Sequence, residues 1–273
     1  MYERFSVCMS VYKNDNPADF SVAIDSILNQ TVKPHEIILV EDGPVPKELE
    51  NLITQLESRV DILKVVRLPK NVGHAGARQT AMDEASNDLI AVMDSDDIAV
   101  NNRFELQLKA FEQNKEASVI GGQIKEFVGT PDNIVGERIV PLNDDDIKAY
   151  LKARCPMNLV TVMYRKSDVE KVGGFIDWYC EEDYYLWIRL AQSGFKFYNI
   201  NENLVNVRVG KEMYQRRGGL KYFKSEANLQ GYMLRHGIIS FPRYCYNVTG
   251  RFAVQVAMPN KLRGFIFQKL FRK

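Results

Sequence analysis

The sequence predicts an α/β protein: a mainly parallel sheet with helices on both faces, followed by a C-terminal helical tail. Three observations predict it. Apolar runs and helical stripes alternate in β-α-β-α-β-α-β order through residues 5–93. Strands joined by helical crossovers pair in parallel and are covered on both sides. Three of the runs end in polar residues: Ser10-Val11-Tyr12, Glu41-Asp42-Gly43 and Asp94-Ser95-Asp96-Asp97. Ligands of such sheets bind beyond the carboxyl ends of the strands, so all three should face one crevice.

The elements follow in order. Phe5 to Val11 is a short apolar run, read as a buried strand. Asp15-Asn16-Pro17 starts a helix, with Pro early in the first turn. Its apolar residues Phe20, Ala23, Ile24, Ile27 and Leu28 form an i, i+3, i+4, i+7, i+8 stripe. Glu36 to Val40 is the second strand, Leu49 to Leu56 a helix, and Ile62 to Leu68 the third strand. Gly73 to Ala85 is a helix and Leu89 to Met93 the fourth strand. The second half is less regular. Val119 to Val128, Ile134 to Val140, Leu159 to Tyr164 and Leu204 to Val209 read as strands. Asn143 to Lys152 and Glu181 to Gln192 read as helices, as does a long stretch from about Tyr214 to Arg235.

A chain of 273 residues, 45% apolar and 26% charged, is a globular protein of one sizeable domain, with or without a tail, and not a disordered one. Of its 36 basic side chains, eight lie after Glu226, where no acid follows. Residues 1–226 therefore hold 28 basic against 35 acidic groups, a net of −7. An acidic body with a basic tail suggests that the tail meets something anionic. Met1-Tyr2-Glu3-Arg4 runs straight into the first strand, and no apolar run reaches 18 residues. Neither a signal peptide nor a membrane span is expected, and any membrane contact should be peripheral. Cys8, Cys155, Cys180 and Cys245 are scattered, which suits free buried thiols in a reducing cytoplasm. His35, His74 and His236 have no metal-ligand spacing.

Three carboxylates within Asp94 to Asp97 repel one another at the end of an apolar strand. They can serve as a solvated loop or helix cap. They also suit a hard cation such as Mg²⁺ or Mn²⁺, which takes oxygen ligands and is shared with substrate phosphates.

Taken together, the motifs resemble family 2 of the inverting glycosyltransferases, which have the Rossmann-like GT-A fold. The resemblance covers most of residues 5–210. It rests on Ser10-Val11-Tyr12 with Asn14, Ser26-Ile27-Leu28-Asn29-Gln30-Thr31, Glu41-Asp42-Gly43, and Asn71-Val72-Gly73 with Ala77-Arg78. Asp94-Ser95-Asp96-Asp97 and Glu182-Asp183 complete it. It implies a GT-A domain over 1–212, with a nucleotide-binding half at about 1–100 and an acceptor half at about 101–212. Residues 213–273 would form a helical, basic extension. Ser10, Val11 and Tyr12 would line the base and ribose, Asp42 would accept a hydrogen bond from a uracil-type base, and Arg78 would place a cation near the nucleotide. Asp94, with Ser95 beside it, would face the ribose. Asp96 would ligate Mn²⁺ or Mg²⁺, supported by Asp97. Glu41 stands where many members carry Asp, which leaves the base identity open. Arg78 also reads as an ordinary helix-surface ion pair.

Sugar transfer with inversion needs a group that takes the acceptor's proton. In the family, the Asp of a Glu-Asp pair is that base. This implies Asp183 as base and Glu182 as an acceptor-positioning group; by themselves, these acids also suit a helix N-terminus. The flanking aromatic residues, Trp178 and Tyr184 among them, would raise a carboxylate's pKa. Trp178 could pack on a sugar face or in the core, and Arg216-Arg217-Gly218-Gly219 could close over a diphosphate or form a solvated turn. Residues 251–273 mix basic and apolar side chains, as interfacial segments do, and anionic lipid adds about 1 kcal/mol per nearby basic residue. A nucleotide-sugar donor, a glycan or lipid-linked acceptor and the inner membrane face are the expected partners; the tail alternatively packs on the domain. Two other classes compete. A nucleotidyltransferase would carry a glycine-rich basic loop that Ser10 to Asn16 lacks. A nucleic-acid-binding module fits poorly with the acidic body and the missing binding motif, so no nucleic acid is expected.

Overall fold

A computed structural model describes residues 2–210 and 218–258. Its first half follows the expected alternation. Strands β1 (Phe5–Val11), β2 (Glu36–Glu41), β3 (Leu63–Arg67) and β4 (Leu89–Val92) alternate with helices α1 (Pro17–Leu28), α2 (Lys47–Arg59) and α3 (Gly73–Glu84). β3, β2, β1 and β4 lie side by side in parallel. The Asn16 side chain caps α1 by accepting from the Ala18 and Asp19 N–H groups, and Pro17 opens the helix.

The second half extends this sheet with a mixed set. β5 (Ile98–Ala99), β6 (Ala117–Phe127), β7 (Ile134–Arg138), β8 (Met163–Arg165) and β9 (Lys196–Arg208) complete nine strands among the described residues. The order is β3-β2-β1-β4-β8-β6-β9-β5, with β7 on β6. β8 runs antiparallel to β4 and β6, whereas β9 is parallel to β6. Between these strands lie α4 (Arg103–Gln113), α5 (Asp144–Leu151), α6 (Lys166–Lys171) and α7 (Glu182–Gln192). Two further helices, α8 (Leu220–Arg235) and α9 (Phe241–Phe252), follow, and a π-helical turn over Ala253–Ala257 ends the described chain.

Strand side chains alternate between faces, and two cores result. Val7, Met9, Ile37 and Leu39 meet α1, α2 and α4 on one face. Cys8, Ile38 and Val40 meet α3 and the Trp187 side of α7 on the other. Helices therefore cover both faces, as expected.

Some local expectations change. Leu159–Thr161 is a 3₁₀ turn, and the strand begins only at Met163. The Thr161 hydroxyl donates to the Asn158 carbonyl at 2.7 Å and closes that turn locally. β9 starts at Lys196 rather than Leu204. α4 was not anticipated, because its buried face includes Arg103 and Gln107. The described start of the basic tail packs on the domain: Arg251 pairs with Glu226 at 3.1 Å and donates to the Ala153 carbonyl at 2.6 Å. Residues 259–273, like Arg216 and Arg217, lie outside the described residues. The thiols are free, but Cys180 and Cys245 are exposed rather than buried.

Candidate active site

The ends of β1, β2 and β4 open on one cleft of about 720 Å³, within the range of small-molecule sites. Ser10, Val11, Tyr12, Asp42, Arg78, Asp94, Ser95 and Asp96 all line it, with Asp15, Lys13, Lys70 and His74.

Asp42 stands at the cleft, but its carboxylate is turned to the start of α3. It accepts from the Val72 N–H at 2.6 Å, the Gly73 N–H at 3.1 Å and the Asn71 side chain at 2.8 Å. This satisfies N–H groups that a helix start leaves open. Gly43 makes the close approach feasible: its φ is +81°, and a Cβ there would sit 2.5 Å from the Asn71 nitrogen. Glu41 is buried and turns from the cleft toward Arg67 at 3.5 Å.

The acidic loop after β4 divides. Asp96 is exposed at the cleft. Burial of its surroundings, then Asp94 and Asp15, push its carboxyl up to about 6. The Ser95 hydroxyl donates to Asp15 at 2.8 Å. Asp97 is only 3% exposed and does not line the cleft; it accepts from the Arg208 N–H at 2.8 Å. Burial, then Asp96 and Asp94, hold its pKa well above the ordinary carboxylate value. Asp97 thus fastens the loop from below while Asp96 and Asp94 face the opening.

Arg78 on α3 joins this loop to the Glu182-Asp183 pair. Its guanidinium lies 3.4 Å from Asp94 and 2.5 Å from Glu182, and its side chain is 14% exposed. It is a half-buried bridge, not the helix-surface pair that its sequence position also allowed. Burial alone would lower its pKa, but Asp94, Glu182 and Asp183 more than offset this and raise it.

Glu182 and Asp183 open α7. The Asp183 pKa is raised, by burial first and by Glu182 second, with Arg78 and Arg138 opposing. The Cys155 thiol lies 3.6 Å from Asp183 Oδ2. The turn before α7 is held by α8: the Ser225 hydroxyl donates to the Tyr179 carbonyl at 2.6 Å, and the Trp178 ring N–H donates to the Ser225 carbonyl at 3.2 Å. Trp178 also packs on Tyr185 and Tyr232, so its ring is spent on the helix interface. Gly173 and Gly174, with φ of +88° and +68°, form a turn before this segment, and the Phe175 N–H donates to Gln79 on α3.

Several residues at the site had no distinct sequence signal. Arg103 is fully buried behind the acidic loop, donating to the Val92 carbonyl at 2.8 Å and to Gln107 at 3.0 Å. Burial pushes its pKa down to about 9, against the pull of Asp94 and Asp97. Arg208 ties Asp96 and Asp97 to Asp19. Cys155 borders Asp183 from a loop that sequence patterning does not mark, and Arg138, the last residue of β7, donates to the Cys155 carbonyl at 2.6 Å.

The divalent cation that the sequence resemblance implies can be set against these residues. Among the described residues no group of three His, Cys, Asp or Glu side chains is arranged to close on a metal. Asp96 and Asp94 instead offer an open, all-oxygen set whose like charges are already uncomfortable together. That donor set fits a hard cation held by one or two carboxylates and by substrate phosphates.

Comparisons with known proteins show the family and the fold. The family model "Glycosyl transferase family 2" matches residues 6–178. The chain is 34% identical over 270 residues to the UDP-Gal:alpha-D-GlcNAc-diphosphoundecaprenol beta-1,3-galactosyltransferase of Escherichia coli, covering 99% of this chain and 97% of that one. It is 31% identical to the amylovoran biosynthesis glycosyltransferase AmsE of Erwinia amylovora, covering 97% of this chain and 98% of AmsE. The mannosyltransferase PcManGT of Pyrobaculum calidifontis, solved in complex with GDP-Man and Mn2+, shares the fold with a TM-score of 0.66 at 14% identity, covering 96% of this chain and 72% of that one. The chain is a GT-A-fold glycosyltransferase and belongs to glycosyl transferase family 2.

Proposed function

We propose that this enzyme moves a sugar, with inversion, from a nucleotide-sugar to a hydroxyl of a lipid-linked or glycan acceptor in surface-polysaccharide assembly. A UDP-sugar is the donor we favour. The observation that carries the reading is the arrangement of acids: Asp94 and Asp96 at the donor cleft, Asp183 apart from them, and Arg78 between. The Escherichia coli galactosyltransferase, named for a UDP-sugar donor and a diphosphoundecaprenol acceptor, supports both substrate classes.

Each residue then has a task. Ser10, Val11, Tyr12 and Asp42 line the nucleoside end, with Asp94 and Ser95 at the ribose. Asp96 is the ligand we assign to Mn²⁺ or Mg²⁺, and Asp97 holds its loop. A bound divalent cation would offset the negative charge that develops on the departing diphosphate. Asp183 takes the proton of the acceptor hydroxyl as that oxygen bonds to the anomeric carbon and the nucleoside diphosphate leaves. Its raised pKa suits a base that must hold this proton transiently. Glu182, fixed by Arg78, positions the acceptor. We assign this work to residues 1–212, with donor and acceptor halves meeting near residue 100. We assign residues 213–273 to an extension whose basic end, 251–273, meets the anionic inner face of the membrane where a lipid-linked acceptor resides.

A donor screen tests the reading. Calorimetric titration of UDP-, GDP- and dTDP-sugars with manganese should find a UDP-sugar that binds only with the metal. Asp96→Asn should abolish that binding; unaltered binding would remove Asp96 from the metal site.

A further inference from the structure

Asp183 is held at both of its carboxylate oxygens. Among the described residues two donors reach it: the Tyr184 N–H lies 2.7 Å from Oδ1, and the Cys155 thiol lies 3.6 Å from Oδ2. Cys155 stands on the loop 152–158, which is tied at several points. Arg138 donates to the Cys155 carbonyl at 2.6 Å, the Met157 carbonyl at 3.2 Å and the Asn158 side chain at 2.8 Å. Asn247 donates to the Lys152 carbonyl at 2.9 Å and Arg251 to the Ala153 carbonyl at 2.6 Å. The hydroxyl of Tyr184, the residue after Asp183, donates to the Leu151 carbonyl where the loop begins. The thiol and the carboxylate are therefore fixed against each other from both sides of the contact.

A second acceptor completes the arrangement. The Met157 carbonyl lies 3.5 Å from the same sulfur. A thiol has one proton and donates it weakly, so it serves one oxygen at a time. A charged carboxylate is a stronger acceptor than a carbonyl; a carboxyl already protonated on Oδ2 is a poorer one. The thiol keeps its own proton, because burial, then the Asp183 charge, hold its pKa well above the ordinary value. The other charged groups that face this pair are Glu181 and Glu182 at the start of α7, Arg78 on α3 and Arg138 on β7. Arg78 spends its hydrogen bonds on Glu182 and Asp94, and Arg138 spends its own on the loop, so neither replaces the thiol at Oδ2.

We propose that Cys155 is a positioning residue for the base: its S–H donates to Asp183 Oδ2 while the carboxylate is charged, and turns to the Met157 carbonyl when Oδ2 takes the proton of the acceptor hydroxyl. The thiol proton stays on sulfur throughout; the proton that moves is the acceptor's. This rests on Asp183 as the base and deepens that reading by naming the group that aims the receiving oxygen. With Oδ1 held by the Tyr184 N–H, the thiol fixes the plane of the carboxylate. The weakness of the thiol as a donor is useful here. A strong donor would stabilise the charged carboxylate and lower its proton affinity, whereas a thiol orients the base at little cost to its basicity.

The test reads the thiol itself and needs no substrate. The infrared S–H stretch of Cys155 is isolated as the difference between the wild type and Cys155→Ala and followed across pH, with circular dichroism confirming the fold. The band should lie at lower frequency while Asp183 is charged and move to higher frequency as pH falls and Asp183 takes a proton. In Asp183→Asn it should not move with pH. Loss of the donor also raises the proton affinity of Asp183, so Cys155→Ala should move the acid limb of the kcat profile to higher pH by about 0.5–1, as expected for one modest hydrogen bond. Cys155→Ser, which restores a donor, should return the limb to the wild-type position or below it. A band that persists in its pH dependence in Asp183→Asn, or acid limbs that coincide in the wild type and Cys155→Ala, would overturn the inference. Transfer lost in Asp183→Asn together with a wild-type band that ignores pH refutes the positioning role alone. Transfer retained in Asp183→Asn refutes the base, and the inference with it.

Discussion

Arg78→Met removes the bridge between the two halves of the site while keeping much of the side-chain volume. Its cost can be worked from the two contacts. Glu182 is 13% exposed and would lose its cation; breaking one partner of a buried pair costs about 3–5 kcal/mol. The Asp94 contact is longer, at 3.4 Å, and Asp94 is 42% exposed, so it adds little. Because the pair is not fully buried, a loss of about 2–4 kcal/mol is expected. The second effect is on pH. Arg78 opposes the rise of the Asp183 pKa that burial and Glu182 cause. Without Arg78 that pKa rises further, so the base is protonated over a wider acidic range. The acid limb of the kcat profile must therefore move to higher pH. Urea unfolding measures the first effect and steady-state transfer across pH the second. A variant as stable as the wild type, within about 0.5 kcal/mol, and with an unmoved acid limb would refute the bridge.

Further predictions concern the supports of the site. Burial, Glu226 and Asp183 raise the Glu181 pKa well above its ordinary value. Its folded form holds the proton more tightly than its unfolded form, so its stabilising contribution is full below the unfolded pKa and fades as pH rises through the folded one. Glu181→Gln should therefore gain stability relative to the wild type as pH rises from about 4 toward neutrality, read by thermal melts across pH; parallel melting curves would exclude this. Gly43→Ala puts a Cβ 2.5 Å from the Asn71 nitrogen at a φ of +81°. It should cost about 1–3 kcal/mol and weaken nucleotide binding by displacing the turn that Asp42 holds. Arg103→Ala opens a cavity and strands the Val92 carbonyl and Gln107, for about 3–5 kcal/mol in urea unfolding.

Much of the donor half was legible because periodicity and polar strand ends report the same geometry. The stripe Phe20, Ala23, Ile24, Ile27 is fully buried, and the three polar strand ends meet in one cleft. The sequence placed Asp94 to Asp97 together but could not assign their directions. Whether a carboxylate faces a cleft or the Arg208 N–H, as Asp97 does, depends on the path of β9 more than a hundred residues later. α4 was hidden because Arg103 and Gln107 sit on its buried face, where they bond carbonyls of β4, β6 and the turn before β8. Polar residues at core positions erase the stripe on which the reading depends. The acceptor half was harder for the same reason. Cys155, Arg138 and Ser225 reach the Asp183 turn through long-range contacts, and no local pattern marks them.

The central claim is that Asp183 takes the acceptor's proton while the donor is held elsewhere. The measurement that tests it most directly compares Asp183→Asn with the wild type in both donor binding and transfer. The account predicts an unchanged dissociation constant for the nucleotide-sugar with manganese, and transfer slowed about 10²–10⁴-fold, the usual worth of a positioned base. Transfer retained near the wild-type rate, or donor binding lost together with transfer, would contradict it.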